Sequence, residues 1–169
     1  MDIYSSLVVI HILGTILGVG GATFIEIFLT KSLRDGKVDA TEGGFLKITF
    51  IIVRIGLVLS LFSGIGFLLL YKFSDQAFRI YNPVLWAKLS IIAVIIINAL
   101  LLQAHKISLY WGSSLSLVSW YFAFIIGALS QGPFIFYSYT DIIIPYILSM
   151  IVGAFVLERI RIFFKKTTQ

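Results

Sequence analysis

The stretch LVVIHILGTILGVGGATFIEI, Leu7–Ile27, decides the fold class. A helix needs about 20 apolar residues to cross the hydrocarbon core of a bilayer, and this run supplies them. It also carries an ionisable imidazole, His11, in a run that otherwise avoids polar groups, and the chain has only two histidines.

The composition extends that reading to the whole chain. Of its 169 residues, 59% are hydrophobic and 12% charged. A soluble domain is about 45–50% apolar and about 25% charged. A soluble protein of this size could not hide so much apolar surface, so lipid must cover part of it. The chain therefore reads as an all-α integral membrane protein in one transmembrane domain, residues 1–169. A β-barrel is excluded by continuous apolar runs, because barrel strands alternate apolar and polar residues. The first run does not read as a cleaved signal peptide, since Asp2 stands where a basic segment would precede it.

Five runs meet the length criterion, at about 5–30, 46–71, 83–103, 114–130 and 141–164, the fourth of them short. The expected architecture is a four-helix core plus one. The connections carry turn residues: DGKVDATEGG, KFSDQAFRIYNP, HKISLYWGSS and the aromatic SQGPFIFYSYT, which suits a headgroup interface. Asn82-Pro83 marks a helix start, because proline at the first helical position loses no needed hydrogen bond. Lys31, Arg34, Lys37, Lys47, Lys106, Arg159, Arg161, Lys165 and Lys166 fall on one side of five spans, with Lys72 and Arg79 on the other. The positive-inside rule then puts the N-terminus outside and the C-terminus in the cytoplasm. The net charge of +5 is thus read as orientation, not as nucleic-acid binding. The absence of cysteine removes disulfides, thiolate metal sites and redox thiols together.

Ionisable residues inside apolar runs are costly and are functional hypotheses by default. Thr15, Gly18, Ala22 and Glu26 share the face of His11, with Gly14 beside it. Gly14 and Gly18 form a GxxxG, which lets a second helix or a flat ligand approach the backbone. One reading of His11 is a hydrogen bond across a helix contact. The other is a metal or haem ligand, since neutral imidazole is the commonest metal ligand. Lys88, in NPVLWAKLSII, either snorkels to the headgroups or points into the bundle to meet a carboxylate. Glu26 and Arg54 are expected to pair between helices one and two. Asn98 reads as a hydrogen bond between helices, and His105 as a residue of the interface rim. No Walker loop, HExxH or serine triad is present. Copper transport finds little support, because the soft ligands are confined to Met1 and Met150.

Two segments carry a resemblance: HILGTILGVGGATFIEIFL (His11–Leu29) and LWAKLSIIAVIIINALLLQAHK (Leu85–Lys106), with SGIGFLLL (Ser63–Leu70) fitting between them. Together they resemble the small membrane proteins that include the HemJ-type protoporphyrinogen oxidases and the CopD copper-resistance domain. The resemblance covers about residues 5–106. The chain departs from the HemJ pattern at GVGGATFIEI (Gly18–Ile27), where those proteins carry Trp-x-Gly and then Pro-Arg. The resemblance implies haem b as cofactor, His11 and Lys88 as the catalytic pair, His11 as the metal ligand, and Gly14 and Gly18 as part of the cofactor site. It implies oxidation of protoporphyrinogen IX to protoporphyrin IX, with electrons passed to the membrane of a bacterium or archaeon. Two alternatives stand beside it: a CopD-like carrier of copper or another small solute, and a non-catalytic subunit that packs as a homo-oligomer or in a larger membrane complex.

Overall fold

A computed structural model describes residues 2–32, 39–130 and 138–166. Its described residues form five long helices and no strand: α1 Ile3–Ser32, α2 Ala40–Lys72, α3 Pro83–Gln103, α4 Leu109–Leu129 and α5 Thr140–Lys166. A short 3-10 helix, Ala77–Tyr81, connects α2 to α3. All five long helices are long and apolar enough to cross a membrane. Their outward faces carry Ile12, Ile16, Phe24, Ile51, Phe62, Ile97, Phe124 and Ile151, all exposed. Apolar surface on that scale, on helices of spanning length, suits the hydrocarbon of a bilayer. The protein is an integral membrane protein.

Two helices start earlier than their apolar runs. α2 begins at Ala40, because Asp39 caps it: its side chain accepts from the Glu42 amide at 2.7 Å, while Glu42 accepts from the Asp39 amide at 3.3 Å. That reciprocal arrangement satisfies two donors at a helix end that would otherwise lack partners. α4 begins at Leu109, where the Ser108 hydroxyl accepts from the Trp111 amide. LYWGSS, expected in a connection, is the first part of that helix. α3 starts at Pro83 as its sequence predicts, capped by Asn82. The aromatic connection falls largely at 131–137, outside the described residues, as do Arg34 and Lys37.

The interior is built from small residues. Lipid tails are as apolar as leucine, so helices in a membrane associate by close packing and hydrogen bonds rather than by escape from water. α1 and α2 make the most extensive contact. A Cβ on Gly14 would lie 2.6 Å from Ser60 Oγ and 2.8 Å from the Gly56 carbonyl, so the two backbones touch. The antiparallel register runs Leu7 on Gly66, His11 on Ser63, Gly14 on Ser60, Gly18 on Gly56 and Gly21 on Val53. α4 packs against α1, α3 and α5. Its Trp120, 1% exposed, is the centre of the core and meets Ala22, Leu57, Ile91, Ile95 and Tyr146. α3 is tied to α4 by Asn98, whose Nδ2 donates to the Gly112 carbonyl at 2.8 Å. α5 presents most of its surface to lipid and holds α4 through Ile142, Tyr146 and Gly153, the last beneath Val118.

Candidate functional site

The ionisable groups of the interior fall into two layers, one near each end of the bundle, while the buried Ser119–Tyr146 hydrogen bond, 2.8 Å, lies beside Trp120 in the core. The first layer lies toward the start of α1. His11 is half-buried, and its Nδ1 is 2.8 Å from Ser63 Oγ on α2. The Ser63 hydroxyl has one proton, and the Leu59 carbonyl receives it at 2.7 Å. Ser63 Oγ also lies 3.1 Å from the Ser60 carbonyl, so its own proton has two carbonyl acceptors, an arrangement that favours Nδ1 as the donor in the His11–Ser63 contact. With Nδ1 turned to Ser63, Nε2 is the ring nitrogen on the side away from that contact. The edge of Phe67, with ring centroids 5.8 Å apart, holds the imidazole plane.

Lys88, on α3, belongs to the same layer. It lies near the start of α3 as His11 lies near the start of α1, and alternating spans put both starts at one end of the bundle. Nζ donates to Ser130 Oγ at 3.0 Å, and Ser130 donates on to the Gly127 carbonyl at 2.9 Å. No carboxylate pairs with Lys88 among the described residues. The structure thus brings His11 and Lys88 to one end of the bundle, with one imidazole nitrogen turned away from Ser63 and a half-buried ammonium that lacks a counter-charge among the described residues.

Gly14 and Gly18 have a different surrounding. Gly14 is closed by the α2 backbone, and a Cβ on Gly18 would overlap the six-membered ring of Trp120. The small-residue stripe below His11 is filled by protein, so it offers no room to a porphyrin. Two buried polar atoms beside these glycines lack partners, Ser60 Oγ and Trp120 Nε1.

The second layer lies toward the other end, and here the expected pair is corrected. Glu26 binds Arg161 on α5, not Arg54. Arg161 donates Nε to Oε1 at 2.8 Å and Nη2 to Oε2 at 2.7 Å, a bidentate pair. Nη2 also meets Ser113 Oγ, Ser114 Oγ and the Tyr110 carbonyl at 3.0–3.1 Å. The register explains the difference. Arg54 lies level with Gly20, about 9 Å along the axis from Glu26 at 1.5 Å per residue, and it is exposed. Arg161, read from sequence as one of the cations of the tail, is 9% exposed and belongs to the interior. One signal could have revealed it: Arg161 lies within about 80° of Tyr146 and Gly153 on a helical wheel. His105 is exposed at the rim, as expected, with φ of 53° just past α3.

Among the described residues no three His, Asp or Glu side chains gather as a ligand cluster. The His11 layer is therefore a single-nitrogen site and not a cage for a free ion. Compared with known proteins, the chain matches no family model, no curated protein and no solved structure, so the His11–Lys88 layer has to be argued from its own geometry.

Proposed function

We propose that this chain is a haem b-binding redox protein of a bacterial or archaeal cytoplasmic membrane, with the His11 end facing outward. The observation that carries the proposal is the 2.8 Å contact of His11 Nδ1 with Ser63 Oγ. A hydrogen bond from Nδ1 to Ser63 would orient the ring and leave Nε2 as the ligand nitrogen. Lys88 supports it, as a half-buried cation with N–H groups to spare for a carboxylate of the kind a haem edge carries.

Of the residues present, His11 would offer a haem one ligand nitrogen and Lys88 would offer one of its carboxylates a cation. No ring fits over Gly14 and Gly18, where Gly56, Ser60 and Trp120 already stand. Bound haem would supply one-electron chemistry. The chain itself would hold the group: His11 would fix it and Lys88 would orient its carboxylate. Protoporphyrinogen IX, whose oxidation the HemJ resemblance implies, carries the same carboxylates and is the substrate to test first, with electrons leaving to a membrane acceptor.

The test is an absorption spectrum of the detergent-purified protein, oxidised and then dithionite-reduced, beside His11→Ala. A Soret band with b-type reduced bands that disappears in the variant is the expected result. Full haem content in the variant would remove His11 as ligand. The close Gly14–Gly56 contact favours a second reading, a non-catalytic membrane subunit built for packing. A colourless protein that stays colourless when haem is supplied would establish that reading instead.

A further inference from the structure

Arg54 is the least expected residue on the lipid-facing surface. It lies six residues past Ile48, where the unbroken apolar run of α2 begins, so its Cα sits about 9 Å inside that run. It is exposed, and it has neither an ion pair nor a hydrogen bond among the described residues. A guanidinium facing hydrocarbon is expensive and is drawn toward the headgroups and their charges. Lys47 lies seven residues nearer the end of α2, on the same face, and it too is exposed and unpaired among the described residues.

The two cations border one groove. Gly43, Leu46, Lys47, Phe50, Ile51 and Arg54 of α2 form its length, with Leu109 at the start of α4 opposite, around a volume of about 480 Å³. Apart from the two cations, its side chains are apolar and none is acidic. We propose that this groove binds a phospholipid with a net negative headgroup. Lys47 meets the phosphate at the level of the headgroups, and Arg54 snorkels toward it along its own apolar stem. The acyl chains lie on Phe50, Ile51 and Leu46. Charge complementarity selects the ligand: two cations unpaired among the described residues, no acidic side chain in the groove's lining, and a bilayer as the surrounding solvent. The site is remote from His11 and does not depend on haem.

The experiment uses the full chain in mild detergent, offered phosphatidylglycerol or phosphatidylcholine and examined by native mass spectrometry. Retention of phosphatidylglycerol over phosphatidylcholine should be on the order of tenfold, as two cations at a membrane surface would give. Lys47→Gln with Arg54→Gln should abolish the preference, and Lys47→Arg with Arg54→Lys should keep it, which separates lost charge from lost fold. Excess inorganic phosphate should not displace the lipid, because the apolar wall holds the chains. Equal retention of the two lipids would overturn the proposal, as would an unchanged preference in the double Gln variant. So would a photoreactive residue at Ile51 that crosslinks in membranes to another protein and not to lipid, since a partner's carboxylate would then be the counter-charge.

Discussion

A single carboxylate shows how strictly membrane interiors require polar groups to be matched. Glu26 is buried at 6% exposure, and two N–H groups of Arg161 meet its two oxygens while Ser113 donates to Oε2 at 3.0 Å. The pair contributes geometry more surely than stability, because each ion gives up its hydration to form it. Removing one partner is a different matter. Arg161→Leu leaves Glu26 buried and unpaired, and it should cost about 3–5 kcal/mol. Thermal unfolding in detergent should show a large loss for Arg161→Leu and a much smaller one for Glu26→Leu with Arg161→Leu. A double variant as unstable as the single one would mean that the contact acts through Ser113 and Ser114 and not through charge. Gly18 poses the steric version of the same question. Gly18→Ala drives a methyl into Trp120, and overpacking of that kind costs about 1–3 kcal/mol. Trp120→Phe should relieve part of that cost in the double variant.

Helices in this chain are set by two signals of unequal legibility. Apolar runs give their number and middles, since the spans expected at about 5–30, 83–103 and 141–164 lie close to α1, α3 and α5. Ends depend on single capping residues, which a hydropathy reading passes over. Asp39-x-x-Glu42 is written in the sequence as a capping box and starts α2 six residues before the expected Leu46. Asp39→Ala should speed hydrogen exchange of the Glu42 amide about fivefold, the equivalent of about 1 kcal/mol for a lost cap. An unchanged rate would show that the Asp39 cap does not hold the first turn of α2. Lateral partners are the least legible feature. The sequence places Glu26 near a helix end without saying which neighbour stands there. Arg54 is adjacent along the chain's topology, yet the Gly14–Gly56 contact fixes a register that leaves it about 9 Å away. His11 is readable as a polar intruder, but its hydrogen bond with Ser63 exists only once α1 and α2 are packed.

Across the whole molecule the two polar layers differ in kind. The Glu26 layer is closed, with charge matched to charge. The His11 layer keeps an imidazole and an ammonium without a carboxylate among the described residues, and the Trp120 core stands between the two layers. That asymmetry gives the orientation in the membrane a functional meaning. Arg161, neutralised by Glu26, no longer counts among the free cations that orient the chain. Lys31, Lys47, Lys106 and Arg159 remain at the Glu26 end, against Lys72 and Arg79 at the other. The bias survives, so the His11 end should face outward. The chain has no cysteine, which makes the test direct. Gln76→Cys, in the exposed connection after α2, should react in intact cells with a membrane-impermeant maleimide. Ala104→Cys, exposed just past the end of α3, should react only after the cells are permeabilised. The reverse pattern would turn the molecule over and put the His11–Lys88 layer toward the cytoplasm, where it would draw its ligand and its electron partner from the other compartment.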